Sequence, residues 1–532
     1  MGINMNHIRV LDCTLRDGGY CNQWKFGFEN IKKIMNGLAD AGIDMIECGF
    51  LTDKGQYDCN VTKFTAMKDF FPLVGQNQSG RLFVAMVNYG EYDADHLPKR
   101  GKDTLDGIRV AFHKKDMQQA LELCRKILEK GYLVFVQPMV SASYSDEEFI
   151  QLIQSVNEIQ PYAFYIVDSF GMMKEKDLAR FFYMVEHNLD ANIWIGFHSH
   201  NNMQLAYSNA QKLVAWQMDR NLIIDVSVYG MGRGAGNLNA ELFVEFLNEK
   251  IGAAYKLKPL LRIIDEIIHE FYQQNYWGYS LPNYLSAKHN AHPNYAKYLD
   301  DKKTLRVEDM ESIFEMMDAG KCVAYDRDYI ENLYISYMNK GGEKNVRDAE
   351  LDRIFDGKRI LLIAPGKSST EERDTIRKYL AKDGVIGISV NFEYQYGKTD
   401  YIFLSNLRRF RELDESQYGK CIITSNIAEK KAYFQVKYRD LLNDEDGVKD
   451  KAGLMAIKFL MKYKVKEILL AGFDGYSHET EENYGEKEMA FFTRNSVLDA
   501  MNEGMRRVIG KYSEEVKITF LTKPGYLNIK VK

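Results

Sequence analysis

Two histidines, His198 and His200, stand two residues apart in Gly196-Phe-His-Ser-His-Asn-Asn202, on an apolar run that reads as a β-strand. Side chains two apart on a strand point to the same face, so both imidazoles present themselves to one side. Far upstream, Val10-Leu-Asp-Cys-Thr-Leu-Arg-Asp-Gly-Gly19 closes another apolar run with Arg16 and Asp17. Downstream, Gly230-Met-Gly-Arg-Gly-Ala-Gly-Asn237 ends a glycine-rich loop at Asn237. Two imidazoles and a carboxylate, with positions left for water and substrate, suit a catalytic divalent cation better than a sealed structural one. The pattern therefore points to an active site. The glycine-rich loop resembles a phosphate cradle in composition, but its expected task is to allow tight backbone turns beside the metal.

These pieces need a scaffold that brings them together. Apolar runs bounded by turn residues occur at 8–15, 45–50, 82–87, 107–112, 132–140, 164–167, 193–198 and 222–228. Helical patterns at 29–41, 116–130, 146–159, 175–188 and 203–216 fill most of the gaps, several opened by an acidic first turn. Alternating strands and helices imply parallel strands joined by right-handed crossovers. Eight units in about 240 residues fit a closed (β/α)8 TIM barrel, expected at roughly 250 residues, with an open doubly wound sheet as the competing layout. The third unit is irregular, since 88–106 has little helical periodicity and carries Pro98. In such a barrel, chemistry collects at the C-terminal ends of the strands. There the sequence places Arg16 and Asp17, Glu47, Arg109 and His113, Gln137, Asp168 and Ser169, and the two histidines. Closure also makes the first strand a neighbour of the eighth, which carries Asp17 and Asn237 towards His198 and His200.

Composition sets the outer limits. A chain of 532 residues exceeds one ordinary core and suggests two or three domains. With 45% hydrophobic and 27% charged residues and a net charge of −5, it reads as a soluble globular protein with no call for a nucleic-acid partner. No apolar stretch approaches membrane-spanning length, and the first residues lack the charged and then apolar order of a signal peptide, so a cytoplasmic location without membrane attachment is expected. Seven scattered cysteines without a CxxC pair argue against a disulfide framework or a cysteine zinc site.

On these three motifs, over roughly residues 6 to 290, the chain resembles the pyruvate carboxyltransferase family, also called HMG-CoA-lyase-like or DRE-TIM metallolyases. It is most similar to the 4-hydroxy-2-oxovalerate aldolase branch. The resemblance implies that Asp17, His198 and His200 hold a divalent metal ion, Mn or alternatively Mg, Co or Zn, with Asn237 as a further ligand. It implies that Arg16 steadies an enolate oxygen. Breaking a carbon–carbon bond beside a carbonyl leaves an enolate, and a metal with a guanidinium stabilises that charge as it develops. The aldolase branch carries a histidine where this chain has Tyr20, and a tyrosine with an ordinary pKa near 10 is a poor base at neutral pH. Tyr279, in Trp277-Gly-Tyr-Ser280, matches a tyrosine that the aldolase also uses. Tyr20 and Tyr279 are thus the expected proton handlers, with Cys21, His289 and Glu47 in reserve; Glu47 also suits a partner of Arg16 or of a histidine. For His289 and His292, in an Asn- and Tyr-rich helical tract, solvent-facing or hydrogen-bonded roles are expected.

The expected organisation is a barrel over 1–256, a tyrosine-rich helical extension over 257–340, a charged linker over 341–357 and a Rossmann-like α/β domain over 358–532. The helical extension is expected to cap the barrel or to offer surface for self-association. The last domain opens with Arg359-Ile-Leu-Leu-Ile-Ala-Pro-Gly-Lys-Ser-Ser369, a strand running into a turn and a helix, which invites an anion at the helix start. A Walker pattern fails, because Leu361 stands where its first glycine belongs. Asp474, in Gly472-Phe-Asp-Gly475, ends another strand and is a candidate for a ribose or a metal, so a nucleotide or sugar-nucleotide is the expected ligand. The domain also faintly resembles the nucleotide-binding core of sialyltransferase-like proteins. The leading functional expectation is a metal-dependent carbon–carbon lyase or aldolase acting on a small 2-oxo acid. A condensing acyltransferase using acyl-CoA and a noncatalytic metal-binding scaffold are the alternatives.

Overall fold

A computed structural model of the chain describes residues 7–74, 80–216, 220–339, 348–479, 482–485, 493 and 495–525. Two compact units emerge: residues up to Pro293 with Gly320–Tyr325, and Asn294–Ala319 with Asp326 onwards. The helical middle is divided between them. Of the expected linker, 341–347 lie outside the described residues, and Asp348–Phe355 forms a helix. Among the described residues, no helix is long and apolar enough to cross a membrane.

The first unit is a closed barrel of eight parallel strands: β1 (Ile8–Asp12), β2 (Met45–Leu51), β3 (Leu82–Asn88), β4 (Gly107–Phe112), β5 (Leu133–Pro138), β6 (Ala163–Asp168), β7 (Trp194–Ser199) and β8 (Leu222–Val226). Each pairs with its sequence neighbours, and the sheet closes where β1 meets β8, Asp12 opposite Val226, and β2, Leu11 opposite Met45. The strands are buried on both faces, by side chains in the barrel interior and by the helices outside, which is why they read as apolar runs without alternation. The helix Asp146–Ile159 shows how the outer layer forms. Ser145 caps its first turn, Glu148 completes a capping box, and Phe149, Leu152, Ile153, Val156 and Ile159 make one buried stripe. Burying each such side chain contributes roughly 1.5–3 kcal/mol.

Two crossovers depart from the pattern. Between β3 and β4 there is only the short turn Ala94–His96, as the lack of periodicity predicts, and between β2 and β3 Met67–Phe70 and Phe71–Val74 alone are helical among the described residues. Inside the barrel, Leu11, Met45, Val84, Phe135, Tyr165 and Ile223 form a packed floor. Gly196 makes that floor possible, since a Cβ there would lie 2.3 Å from the Tyr165 ring.

The second unit is an open sheet of seven parallel strands: β9 (Arg359–Ile363), β10 (Val385–Val390), β11 (Tyr401–Leu404), β12 (Cys421–Thr424), β13 (Phe434–Val436), β14 (Glu467–Ala471) and β15 (Ile518–Phe520). Their order is β13-β12-β11-β10-β9-β14-β15, a Rossmann-like arrangement with the first strand near the centre. The sequence pattern misses β13, whose three residues are too few to show a period.

Candidate active site

The first strand ends earlier than its apolar run suggests, at Asp12, and Thr14–Asp17 form a helical turn. Asp12 fixes that turn by accepting from the Thr14 amide (3.0 Å) and hydroxyl (2.9 Å). Burial pushes the Asp12 carboxyl up to about 7. The turn aims Arg16 and Asp17 into the mouth of the barrel, where both are buried.

Asp17, His198 and His200 converge there, and one donor atom from each lies within 4.8 Å of the others. His198 comes from β7, and the His200 backbone bridges to Asn237 just beyond that strand. Nδ1 of His198 pairs with Oδ2 of Asp225 at 2.9 Å, which sets the ring and leaves Nε2 as the nitrogen that could ligate a metal. Burial pushes His200 down to about 3, so its imidazole is neutral, the form that binds a metal. Burial works to raise Asp17, but Arg16 and the histidines outweigh it and hold the carboxylate ionised below its ordinary range. Asn237 donates through Nδ2 to Asp17 Oδ2 at 2.7 Å. Its Oδ1 is buried with no hydrogen-bond partner among the described residues. A buried amide oxygen without a donor is costly unless something electropositive occupies its lone pairs, so the set fits a divalent cation. The loop can come this close because Gly232 has no side chain: a Cβ there would lie 2.4 Å from Asn237 Nδ2 and 2.7 Å from Asp17 Oδ2.

Around the triad runs a chain of buried charges. Arg16 reaches Asp17 through Nη1 (2.5 Å) and Glu47 through Nε (2.8 Å). Glu47 also meets Arg109 (2.9 Å), and Arg109 pairs with Asp225, which holds His198. Burial works to raise Asp225, and Arg109 with His198 brings it below the usual carboxylate range. Three carboxylates face two guanidiniums, leaving one negative charge in excess at a place suited to a cation. Arg16 Nη2 is buried without a partner among the described residues, a strong donor left over for a ligand.

Beside this lies a cavity of ≈770 Å³, its opening included, lined among others by Tyr20, His113, Ser169, Arg233 and His292. Tyr20, 40% exposed, packs edge-on against Trp24 and lies 5.4 Å from the Arg233 guanidinium. Burial lowers His113, and burial with the nearby Arg233 and His113 holds His292 down at about 3, so both rings are neutral. His292 is half-buried, and its ring meets Phe170 at 5.8 Å.

The structure thus gathers Arg16, Asp17, Glu47, His198, His200 and Asn237, with Tyr20 in the neighbouring cavity. It does not gather Tyr279, which is 55% exposed and does not line that cavity. Its neighbour Trp277 is buried instead, donating to the Tyr229 carbonyl at 3.0 Å. Glu47 stands between two arginines rather than facing the cavity, a positioning residue. Asp225 escaped sequence reasoning, although an acidic residue inside the apolar strand Leu-Ile-Ile-Asp-Val carried a signal: buried carboxylates are rare unless paired. Arg233 and His292 had no such signal, because both sit in polar segments.

The chain is similar to several known proteins. Residues 107–267 match the HMGL-like family model. The chain is 26% identical over 276 residues to 4-hydroxy-2-oxovalerate aldolase of Pseudoalteromonas translucida, covering 50% of this chain and 78% of that protein. It is 24% identical over 246 residues to oxaloacetate decarboxylase of Mycobacterium tuberculosis, covering 45% of this chain and 70% of the relative. Among solved structures, the N-terminal domain of an aldolase candidate from Bacteroides vulgatus aligns at 25% identity and a TM-score of 0.47 over 56% of this chain and 98% of that one. Within the barrel, residues 107–267 are thus similar to the HMGL-like family.

Proposed function

We propose that the barrel is a divalent-metal-dependent carbon–carbon lyase that breaks the C3–C4 bond of a small 4-hydroxy-2-oxo acid, releasing an aldehyde and the enolate of pyruvate, which takes up a proton at C3. One observation carries this reading: a buried Asp-His-His triad flanked by two unsatisfied polar atoms, Asn237 Oδ1 and Arg16 Nη2, one acceptor and one charged donor. The names of the two relatives support it, since cleaving a 4-hydroxy-2-oxo acid or decarboxylating oxaloacetate leaves the same enolate. A cation held by Asp17, His198, His200 and Asn237, with Mn favoured over Mg, Co or Zn, supplies a Lewis acid for the 2-oxo group.

The protein's own residues do the rest. Arg16 donates from Nη2 to the oxygen on which negative charge accumulates, an interaction stronger with the enolate than with the ketone. Glu47 holds Arg16 through Nε, and Asp225 fixes the His198 ring. The proton leaving the 4-hydroxyl is assigned to the cavity wall, where Tyr20 lies with the neutral imidazole of His113. That arrangement takes the place of the family histidine that Tyr20 replaces.

The test joins metal analysis to a pyruvate-release assay on a panel of 4-hydroxy-2-oxo acids, in wild type and His200→Ala. Bound metal and pyruvate release, both cut at least about tenfold by the substitution, are expected. Failure to bind any of the four cations after reconstitution would overturn the proposal. Metal binding without pyruvate release, but with turnover of acyl-CoA, would replace cleavage by condensation.

A further inference from the structure

The second unit contains a crevice that the barrel chemistry does not use. It lies where β9, β10, β11 and β14 end, lined by Gly366, Asn391, Ser405 and Gly472 among others. At β9 the strand order reverses, with β10 on one side and β14 on the other. Connections from neighbouring strands diverge to opposite faces at such a point, leaving a gap outside the carboxyl ends. The open space is ≈1180 Å³, its solvent-open mouth included.

Its charge identifies the class of ligand. Lys302, Lys303, Arg408, Arg409 and Lys451 all line it, against the carboxylates Asp450 and Asp474. Both carboxylates are occupied within the wall. Asp450 accepts from Tyr334 (2.5 Å) and Tyr438 (2.9 Å) and faces Lys302 at 3.7 Å. Asp474 accepts from the Ser368 amide at 2.7 Å and from the Ser368 hydroxyl. Asp300 pairs with Lys303, and Glu412 with the two arginines. The helix Ala452–Leu460 also begins here, and Lys451 at its N-cap supplies no capping side chain, so its first-turn amides are open to an anion. The lining also includes Phe473, Leu454 and Met505, together with Tyr476, whose ring centroid lies 5.4 Å from Lys451 Nζ.

In the turn after β9, Lys367 points to Glu482 (2.5 Å) and does not line the crevice, whereas Ala364, Pro365 and Gly366 do. Asp474 also lines the crevice and clamps that turn through Ser368.

We infer that this crevice binds a nucleoside 5′-phosphate, its phosphate on Lys451, Arg409 and the start of the helix, its base among Phe473, Tyr476 and Met505. The cationic side meets the phosphate charge, and the aromatic and thioether surface meets a planar base. The test is calorimetric titration of the full chain with the 5′-monophosphates and diphosphates of adenosine, cytidine, guanosine and uridine, with inorganic phosphate and the free nucleosides as controls. At least one nucleotide should bind with one-to-one stoichiometry and at least about tenfold more tightly than inorganic phosphate or its nucleoside. Lys451→Glu should weaken it about tenfold or more and the milder Arg408→Ala about threefold, with melting temperatures like wild type. Absence of saturable binding by every nucleotide, equal binding of inorganic phosphate, or binding indifferent to both substitutions would overturn the inference. So would binding that is lost in His200→Ala but kept in Lys451→Glu, since that would place the ligand in the barrel.

Discussion

The mouth of the barrel and the crevice of the second unit both lie at the C-terminal ends of parallel strands, yet they handle charge in opposite ways. In the barrel, closure turns Asp17, Arg16, Glu47, Arg109, Asp225 and His198 inward, and each finds its partner in a buried chain of ion pairs. In the open sheet the cations stand on the walls of a gap, several of them partly exposed; the Arg408 side chain is 57% exposed. A closed sheet surrounds its ligand with fixed charges of low local dielectric, which suits chemistry on a small anion bound to a metal. An open sheet offers a longer, solvated groove, which suits binding of a larger anion.

The comparison can be broken at several points. The largest effect is expected for Arg16→Ala, which removes the proposed enolate donor and leaves Glu47 and Asp17 short of a partner. The rate of pyruvate release should fall about 10²- to 10³-fold while bound metal is retained. An unchanged rate would mean that Arg16 only balances charge. Next comes Asp225→Asn, which removes the acceptor charge behind His198 and should weaken metal affinity about 10- to 100-fold, read by competition with a chelator. A metal affinity equal to wild type would show that the chain of ion pairs serves folding alone. The smallest contrast is in salt. Between about 0.05 and about 0.5 M ionic strength, nucleotide affinity in the crevice should drop several-fold, whereas the barrel's turnover should change little, because buried pairs are screened less than exposed ones. Equal salt sensitivity at both sites would remove the distinction drawn between them.

Much of this was legible in the chain. The barrel strands appear as apolar runs because parallel strands are buried on both faces, and the helix Asp146–Ile159 is marked at both levels by its acidic start and its stripe. His198, His200, Asp17 and Asn237 declare themselves by residue type and spacing. The end of β1 was less legible. The run through Leu15 stays apolar while its backbone turns helical at Thr14, a change made by hydrogen bonds from Asp12 that leave the hydrophobic pattern untouched. Tyr279 shows the reverse error: its motif suggests the site, but the backbone there buries Trp277 and leaves the tyrosine exposed.

The sequence by itself determined the order of strands and helices, the class of barrel and the types of side chain available for metal chemistry, because periodicity and residue type are local properties. Only the tertiary structure decided that Asp225 stands behind His198, that Glu47 belongs to two arginines, that Lys367 turns from the crevice to Glu482, and that Asn237 Oδ1 and Arg16 Nη2 remain unsatisfied. Each of these joins residues distant in the chain, and which polar atom is paired or left over depends on closing the sheet, which no local pattern encodes.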